Sequence, residues 1–393
     1  MSFRNKDSSI EFSIVIPCLN EAETLHLCIQ KAKQFCESQH IRYEIVVGDN
    51  GSTDGSQEIA RNEGARVVEV SEKGYGAALK EGIKHSHGKY IIMGDADNSY
   101  DFSNLSLFVL KLREGFDLVI GNRFKGGFLP GSSHWLNRYV GNPVLSFIGK
   151  LFFSSPVGDF HCGLRGFSRE AYDKIDPTTP GMEFASEMII RATLQGLNIT
   201  EIPATLSPDG RSRPPHLRRW RDGWRHLRFM MLYSPKWIFF YPGLIFMIFG
   251  LVITLWLLPE SRHLYGVTFD IHTLLFSCAM LVLGLQAVSF AVLTKAFCIS
   301  EELHPQKNPK METLSRYFNL ELGIVIGLIF CVFGFLGSLF ATILWGAQHF
   351  GELLPTKMLR LIIPSVTLMI IGAQVIFTSV VLGVMELGRQ RKN

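Results

Sequence analysis

Two aspartates separated by a single residue, Asp95 and Asp97, follow the apolar run 90–94. Carboxylates at the end of a buried strand can converge on one divalent cation and the diphosphate that it carries, and oxygen ligands suit Mg²⁺ or Mn²⁺. Aspartate and asparagine also favour turns and helix N-termini, where an isolated pair of this type is more often found. The pair by itself therefore leaves a metal site and a simple turn as alternatives.

Similar polar loops follow earlier apolar runs, and helical stretches separate them. We predict strands at 12–16, 43–47, 66–70, 90–94 and 116–120, and helices at 22–36, from Asp54 to about Asn62, after 73–78 to about His85, and at 182–195. Asn20 is expected to cap the first helix, with Glu21 as a favourable charge in its first turn. Such alternation is typical of a parallel α/β sheet whose ligands bind at the carboxyl ends of the strands.

The loops at these strand ends carry side chains suited to a nucleotide and its diphosphate. Asp49 suits a base or a ribose hydroxyl. Gly74 and Gly76 allow close approach of the backbone, although any tight turn uses such glycines. Asp97 is expected to face the cation. Taken together, the loops predict one pocket for a nucleotide.

Four segments carry a resemblance to a known family: PCLNE at 17–21, GDNGSTD at 48–54, KGYG at 73–76 and DAD at 95–97. In this order and spacing they resemble the family 2 glycosyltransferases of GT-A fold, most closely the polyprenyl-phosphate group with the dolichol-phosphate mannose and glucose synthases. The resemblance implies an α/β, Rossmann-like GT-A domain that binds a UDP- or GDP-linked nucleotide diphosphate sugar. It spans the N-terminal half and, more loosely, the membrane half.

The resemblance also implies roles for single residues. Those expected to bind the nucleotide sugar lie in the four segments: Pro17, Asn20, Glu21, Asp49, Lys73, Gly74, Asp95 and Asp97. Asp49 matches the position that contacts the nucleobase, and Asp97 the carboxylate that binds the metal directly, with Asp95 beside it. Ser99 falls where some members have a glutamine as a further metal ligand. The expected metal ligands are thus Asp95, Asp97 and Ser99, with Ser99 departing from the family pattern.

Two arginines further along match phosphate-binding positions of the family. Arg123, which follows the strand predicted at 116–120, and Arg138 are expected to bind the acceptor phosphate. An arginine fork suits phosphate oxygens better than a lysine does. With Asp97, these arginines are the expected catalytic residues. An ordinary salt bridge is the alternative for both.

The segment 159–167, DFHCGLRGF, resembles the element that closes the acceptor side of the family's site. Asp159 and Arg165 either form a structural ion pair or belong to the site, and the sequence leaves both alternatives open. Glu187 resembles an acidic residue that lines the family's pocket. His161 has no partner at metal-ligand spacing, so we expect it to form hydrogen bonds.

A basic segment at 209–234 precedes the long apolar runs and holds seven arginines between Arg211 and Arg228. Arg211 and Arg213 are expected at the acceptor phosphate. An apolar face at residues 217, 220, 224, 227 and 231 predicts a helix in the lipid headgroup plane, and a helix packed on the soluble domain is the alternative. Basic residues at this place indicate anionic lipid or phosphate rather than nucleic acid.

Four apolar runs, at 237–258, 274–294, 322–345 and 359–384, are each long enough to cross a bilayer. We therefore divide the chain into a GT-A domain at 1–208, the basic amphipathic segment at 209–234 and a four-helix transmembrane domain at 235–393. Gln286 and Gln374 are expected to form hydrogen bonds between these helices, and the glycines of the helices are either packing positions or functional residues.

The distribution of charge and cysteine predicts the orientation of this multi-pass protein. The N-terminus is polar and lacks a signal-like apolar stretch, and the seven cysteines show no metal-ligand spacing. Basic residues are concentrated at 295–316 and in the C-terminal tail. The catalytic domain and both termini are therefore expected in the cytoplasm.

The sequence as a whole predicts an inverting enzyme that moves a sugar, glucose or mannose, from a nucleotide diphosphate to a polyprenyl phosphate at the cytoplasmic membrane face. A membrane glycosyltransferase that uses another lipid or extends a polysaccharide is one alternative. A non-enzymatic scaffold or flippase subunit is an alternative of another class. Homo-oligomers are compatible with the sequence.

Overall fold

The computed structural model describes residues 10–213, 219–301, 320–352 and 355–392. The chain forms two compact units, one that ends at Tyr233 and one that begins at Ser234. The first unit contains a seven-stranded sheet with helices. The second contains four long apolar helices and a two-stranded hairpin.

The sheet of the first unit has the strand order β3-β2-β1-β4-β6-β5-β7. Its strands are β1 Phe12–Cys18, β2 Tyr43–Asp49, β3 Arg66–Glu69, β4 Tyr90–Met93, β5 Leu118–Asn122, β6 Arg165–Ser168 and β7 Ile199–Pro203. The five strands predicted from the sequence are all present, with ends shifted by a few residues.

The expectation of a parallel sheet is wrong in one respect. Strand β6 runs antiparallel to both of its neighbours, β4 and β5, while the remaining pairs are parallel. Its sequence, RGFS at 165–168, is short and polar at both ends, so it lacks the apolar run typical of a buried strand. Gly166 lets β6 lie close to helix α4, Ser106–Arg113, because a Cβ there would be 2.9 Å from Leu112 Cδ1.

The other helices of the first unit are α1 Leu25–Ser38, α2 Ser56–Asn62, α3 Tyr75–Lys84, α5 Arg123–Gly126, α6 Asn142–Phe153, α7 Arg169–Ile175, α8 Phe184–Leu194 and α9 Arg219–Leu232, with a π-helical turn at Asn137–Gly141. Asn20 does not cap α1, contrary to expectation. The cap is Thr24, and Asn20 has a left-handed backbone with φ of 57°. Its Oδ1 accepts from Thr53 N at 2.8 Å, so it joins two loops instead.

The core explains why the predicted loops meet. All residues of β1 and β4 are buried, as expected for the central strands of a covered sheet. Strand β1 lies between β2 and β4, with Cys18 beside Asp49 and Val15 beside Met93. The loops after these three strands therefore emerge at one edge of the sheet, called the carboxyl edge below.

The second unit contains four helices that are long and apolar enough to cross a membrane, by length and composition: Lys236–Leu257, Ile271–Ser300, Leu320–Ala347 and Thr356–Gly388. The first begins with a π-helical turn, Lys236–Phe240, followed by an α-helix, Tyr241–Leu257; the last belongs to a helix at Pro355–Lys392, and the hairpin strands are Arg262–Leu264 and Val267–Phe269. Each of the four predicted runs corresponds to one of these helices, and only the first extends beyond its helix, by one residue.

Small residues and one amide pair join these helices. A Cβ on Gly243 would be 2.7 Å from the carbonyl oxygen of Gly284, and one on Gly327 would be 2.6 Å from that of Gly372. Gln374 Nε2 donates to Gln286 Oε1 at 3.0 Å. The prediction that Gln286 and Gln374 form hydrogen bonds between helices is confirmed, and of the two alternatives for the glycines these contacts favour packing.

Replacing Gly48 by alanine should destabilise the protein by about 1–3 kcal/mol, the usual cost of overpacking. A Cβ at Gly48 on β2 would be 2.2 Å from the carbonyl oxygen of Ala78 on α3. The measurement is thermal unfolding of the full-length protein in detergent. Gly223→Ala is the control, since nothing lies within 4 Å of its Cβ position in helix α9 and alanine favours helices. Equal midpoints for the two variants would contradict the packing described here.

Candidate active site

A polar cavity of about 500 Å³ opens at the carboxyl edge of the sheet. Its wall includes Pro17, Glu21, Asn50, Lys73, Asp97 and Arg211. An apolar cavity of about 400 Å³ adjoins it and is lined by Leu136, Val140, Val144, Trp220, Trp224 and Leu227, among others. Four residues line both cavities: Tyr75, Asp95, Met182 and Asp222. The carboxylate of Asp95 thus stands at the junction.

Asp49 lies at the end of β2 and is 1% exposed. Its Oδ2 accepts from Gly51 N and Ser52 N, each at 3.0 Å, and from Gln57 Nε2 at 2.6 Å. Its Oδ1 is buried and has no hydrogen-bond partner among the described residues. An unpaired buried acceptor costs about 1–3 kcal/mol, which a ligand N–H would recover.

Asn50 connects the loop after β2 to the start of helix α3. Its Oδ1 accepts from Gly74 N at 2.7 Å, and Lys73 Nζ donates to its carbonyl oxygen at 2.7 Å. A Cβ on Gly74 would be 2.1 Å from the carbonyl oxygen of Pro180, and φ of Gly74 is +144°. The close approach expected at this glycine is therefore made by the protein's own backbone, while Gly74 also lines the polar cavity.

Asp95 accepts a hydrogen bond from the Tyr75 hydroxyl at 2.9 Å. Burial, and to a smaller degree the charge of Asp97, raises the pKa of Asp95 to about 7. The loop after β4 thus carries two carboxyl groups, Asp95 and Asp97. For Asp95, burial makes the negatively charged form unfavourable in free energy.

Asp97 is held on both of its oxygens. Its Oδ1 accepts from Ser99 N at 3.0 Å and from Ser99 Oγ at 2.5 Å. Its Oδ2 accepts from the Arg211 guanidinium at 2.8 Å. Ser99 therefore donates its hydroxyl to Asp97 and orients that carboxylate.

Arg211 and Arg213 both lie on carboxylates beside the polar cavity. Arg211 contacts Glu21 Oε1 at 3.0 Å and Asp209 Oδ2 at 3.1 Å in addition to Asp97. Arg213 lies 2.9 Å from the same Glu21 oxygen and donates to the carbonyls of Leu19 and Asn20. Burial raises the pKa of Glu21, and the two arginines oppose that rise.

The carboxylate oxygens of Asp95 and Asp97 are suited to bind a hard cation whose remaining ligands come from a substrate. In the described part of the chain, no three His, Cys, Asp or Glu side chains form a cluster that could hold a metal alone. Asp97 already binds a cationic group through Oδ2, and Asp95 lies beside it. Mg²⁺ in particular is usually bound by one or two carboxylates together with substrate phosphates.

Residues 13–176 match Glycosyl transferase family 2, and residues 292–386 match the Glycosyltransferase family 2 C-terminal transmembrane region. The low-salt glycan biosynthesis hexosyltransferase Agl6 of Haloferax volcanii is 34% identical over 96% of this chain and 90% of its own length. The chain belongs to glycosyltransferase family 2. It is a glycosyltransferase with a GT-A fold and a membrane protein, so the non-enzymatic alternative is not supported.

The chain is also similar to a further curated relative and to a solved structure. The dolichyl-phosphate hexose transferase of Haloferax volcanii is 28% identical over 49% of this chain and 81% of its own. A crystal structure of glucosyl-3-phosphoglycerate synthase from Mycobacterium tuberculosis, in complex with Mn²⁺, UDP and glucosyl-3-phosphoglycerate, is 22% identical. It covers 57% of this chain and 78% of its own, with a TM-score of 0.43.

Arg123 of the enzyme forms a buried ion pair with Asp159. Its Nε lies 2.7 Å from Asp159 Oδ2 and its second terminal nitrogen 2.8 Å from Oδ1. Burial by itself raises the pKa of Asp159, but the guanidinium outweighs it and holds that pKa below its usual value. Arg123 lines neither cavity. Its role at the acceptor phosphate stays a prediction.

Arg138 lies on the π-helical turn Asn137–Gly141. Its guanidinium carbon is 4.8 Å from the centre of the Phe128 ring and 5.1 Å from that of Tyr139. Its neighbours Leu136 and Val140 line the apolar cavity, and Arg138 does not. Its role at the acceptor phosphate also stays a prediction.

The structure excludes one of the two alternatives left open for Asp159 and Arg165, the ion pair between them, and it contradicts the expectation for Glu187. Arg165 does not pair with Asp159, because it is fully buried and donates to the carbonyls of Phe160, Cys162 and Ala185. Glu187 does not line either cavity. It is fully buried and accepts from the backbone and hydroxyl groups of Thr178 and Thr179, which fixes the loop ahead of α8.

Helix α9 brings residues to the site that the sequence did not single out. Its buried face is Asp222, His226 and Met230, at intervals of four, while Trp220 and Trp224 of the expected apolar face are 85% and 57% exposed. Residue 217 of that expected face lies outside the described residues. Arg221, Asp222 and Arg225 line the polar cavity. The four-residue spacing of Asp222, His226 and Met230 was the available signal.

His161 and His226 meet at the apolar cavity, with ring centres 4.5 Å apart. His226 Nδ1 lies 2.8 Å from Ser186 Oγ, and burial lowers the pKa of His226 to about 4. Neither ring nitrogen of His161 has a hydrogen-bond partner among the described residues. The expectation of a hydrogen-bonded His161 side chain is therefore wrong, and its ring packs on a neutral histidine.

Asp159→Ala should destabilise the enzyme by about 3–5 kcal/mol, because it leaves the buried Arg123 charge unpaired. Thermal unfolding of the full-length protein in detergent measures this. Lys125→Ala is the control; Lys125 pairs with Glu201, is 55% exposed and should change stability by about 0–1 kcal/mol. If Asp159→Ala unfolds like the parent, the pair is not a structural one and Arg123 is free to meet a substrate.

Proposed function

We propose that the enzyme transfers a hexose, glucose or mannose, from a nucleotide diphosphate sugar to a polyprenyl phosphate, with inversion at the anomeric carbon. The observation that carries the proposal is the junction at Asp95, where a polar cavity with two aspartates adjoins an apolar cavity. A hydrophilic donor and a lipid acceptor need such a pair of neighbouring sites. The relative named as a dolichyl-phosphate hexose transferase supports the same substrate classes.

The donor would occupy the polar cavity, with its base toward the loop after β2. The buried Oδ1 of Asp49 is suited to accept a hydrogen bond from the base. Pro17, Asn20 and Gly74 shape the adjacent loops, and Lys73 supplies positive charge near the phosphates. These assignments follow from burial, charge and position at the carboxyl edge.

Asp97 would hold Mg²⁺ or Mn²⁺ directly, with Asp95 beside it and Ser99 fixing the Asp97 carboxylate. A cation bound there would neutralise charge on the diphosphate as it leaves. Asp97 also presents a carboxylate oxygen to Arg211, so this position already accommodates a positive group. The protein's contribution is to keep these oxygens in a fixed orientation before the donor arrives.

The acceptor would place its first isoprene units in the apolar cavity and its phosphate toward the junction. Arg221 and Arg225 on α9 line the polar cavity and bring positive charge to this region. The acceptor phosphate is already an anion, so no strong general base is needed to activate its oxygen. Catalysis then rests on alignment of that oxygen with the anomeric carbon.

The orientation in the membrane is part of the proposal. Basic residues at 295–316 and in the C-terminal tail, together with those of 209–234, belong on the cytoplasmic side by the positive-inside rule. The catalytic unit and both termini then lie in the cytoplasm, where nucleotide sugars are available.

Membranes that contain the enzyme should form a single-sugar polyprenyl phosphate when given the correct UDP- or GDP-sugar. A panel of UDP- and GDP-sugars with polyprenyl phosphate, followed by mass spectrometry of the lipids, identifies the donor and the acceptor.

Asp97→Asn should lower the rate of sugar transfer by about 10³-fold or more, because an electrostatic contact to the leaving group is lost. A product with several consecutive sugars, or one on diacylglycerol, would replace the proposed acceptor, and an active Asp97→Asn enzyme would contradict the metal role.

Filling the apolar cavity should impair use of the lipid. In Val144→Trp, whose position is 49% exposed and lines this cavity, we expect the KM for polyprenyl phosphate to rise about tenfold with little change in nucleotide affinity. Val267→Trp is the matched control, because Val267 is 54% exposed and lies in the hairpin of the second unit. Equal effects of the two substitutions on the lipid KM would exclude the apolar cavity as the acceptor site.

A further inference from the structure

Arg211 lies where three carboxylates converge. Its terminal nitrogens contact Asp97 Oδ2 at 2.8 Å, Glu21 Oε1 at 3.0 Å and Asp209 Oδ2 at 3.1 Å. The side chains of Arg211, Glu21 and Asp97 are 10%, 7% and 14% exposed. One guanidinium thus contacts all three carboxylates at this end of the polar cavity.

The segment that carries Arg211, residues 209–213, is called the strap. It is fastened to the loop of the two aspartates and to the start of α1. Gly210 N donates to the carbonyl of Asp97 at 3.0 Å, and Ser212 N and Oγ donate to the carboxylate of Glu23. The strap therefore places Arg211 on Asp97 through several contacts.

The contacts of Asp97 imply that Arg211 and a divalent cation compete for the same carboxylate oxygen. Its Oδ1 already accepts two hydrogen bonds from Ser99, so Oδ2 is the oxygen with a replaceable partner. A divalent cation on Oδ2 would be next to the positive guanidinium, which like charges disfavour. Asp97 can serve the cation fully only after Arg211 has left it.

We propose that Arg211 is an internal counter-cation that holds Asp97 when no donor is bound and exchanges places with the divalent cation as the donor arrives. The released guanidinium then binds the diphosphate that the cation brings. The proposal rests on the metal role given to Asp97 above. It assigns Arg211 to the donor diphosphate rather than to the acceptor phosphate expected from the sequence.

A spare donor on Arg211 supports the second half of the exchange. Its Nε is buried and has no hydrogen-bond partner among the described residues. Glu21 Oε2 is in the same state. The ion pair of Arg211 and Glu21 thus leaves one buried polar atom on each side chain without a partner, so a further ligand can bind there at a gain in free energy. Phosphate oxygens are suitable acceptors for the planar guanidinium of Arg211.

Arg213 provides the matched comparison. It shares Glu21 Oε1 with Arg211, at 2.9 Å, and it also donates to the carbonyls of Leu19 and Asn20. Its side chain is 29% exposed. Removing Arg213 changes the net charge beside Glu21 by the same amount without freeing Asp97.

The test is a titration of Mn²⁺ alone onto the detergent-solubilised full-length enzyme, with free Mn²⁺ measured by electron paramagnetic resonance. Arg211→Gln should bind Mn²⁺ about tenfold more tightly than the parent, because the competing charge on Asp97 is gone. Arg213→Gln should stay within about twofold of the parent. With saturating UDP or GDP, whichever the enzyme binds, the advantage of Arg211→Gln should disappear, since Arg211 then contributes to the diphosphate.

Unchanged or weaker Mn²⁺ binding by Arg211→Gln, or equal gains in both glutamine variants, would overturn the proposal. Arg211→Lys is the control for misfolding, because it keeps the positive charge and loses only the planar guanidinium. Its affinity for Mn²⁺ should lie between that of the parent and that of Arg211→Gln. Asp97→Asn separates the two levels of inference. If it binds Mn²⁺ like the parent, the metal role in the proposed function fails; if it loses Mn²⁺ while Arg211→Gln gains nothing, only the exchange fails.

Discussion

Negative charge at the carboxyl edge of the sheet is the constraint on which the site depends. Asp49, Asp95 and Asp97 come from the ends of two central strands, and Glu21 joins them from the loop after β1. Carboxylates gathered in a partly buried cavity repel one another unless cations or hydrogen-bond donors compensate them. The surrounding structure supplies these in different ways: backbone N–H groups at Asp49, the Tyr75 hydroxyl at Asp95, and two arginines at Glu21 and Asp97.

The compensating groups come from distant parts of the chain, which links the donor site to the segment ahead of the membrane helices. Arg211 and Arg213 follow β7, and helix α9 after them adds Arg221 and Arg225 to the polar cavity and Trp220 and Trp224 to the apolar one. The contact with lipid headgroups that the composition of the basic segment suggests stays a prediction. The described residues of the segment line part of both cavities.

Local sequence patterns predicted those features whose causes are local. Strands β1, β2 and β4 are continuous apolar runs followed by polar turns, and the order of their loops was enough to predict that these loops meet at one cavity at the carboxyl edge. Strand β6 was missed because its four residues have no apolar periodicity and are held by neighbours on both sides. The partners of Arg123 and Arg211 were also missed, since pairs 36 and 114 residues apart leave no trace in spacing. Helix α9 was predicted as a helix. Its buried face is formed by Asp222, His226 and Met230, and a search for apolar residues alone does not find a face with two polar members.

The junction of the two cavities poses an electrostatic problem that the structure itself addresses. In the proposed reaction the lipid phosphate forms a bond to the anomeric carbon while the bond from that carbon to the diphosphate breaks, so two anionic groups bind on either side of one carbon. A negative charge on Asp95 beside them would oppose the binding of both. Burial raises the pKa of Asp95 to about 7, so the charged form of this carboxyl is disfavoured where the two cavities meet. Asp97 instead accepts hydrogen bonds from Ser99 on one oxygen and from Arg211 on the other. In the proposed function, the unequal environments of these two aspartates, one residue apart, would let the same loop hold a cation at Asp97 and admit a second anion beside Asp95.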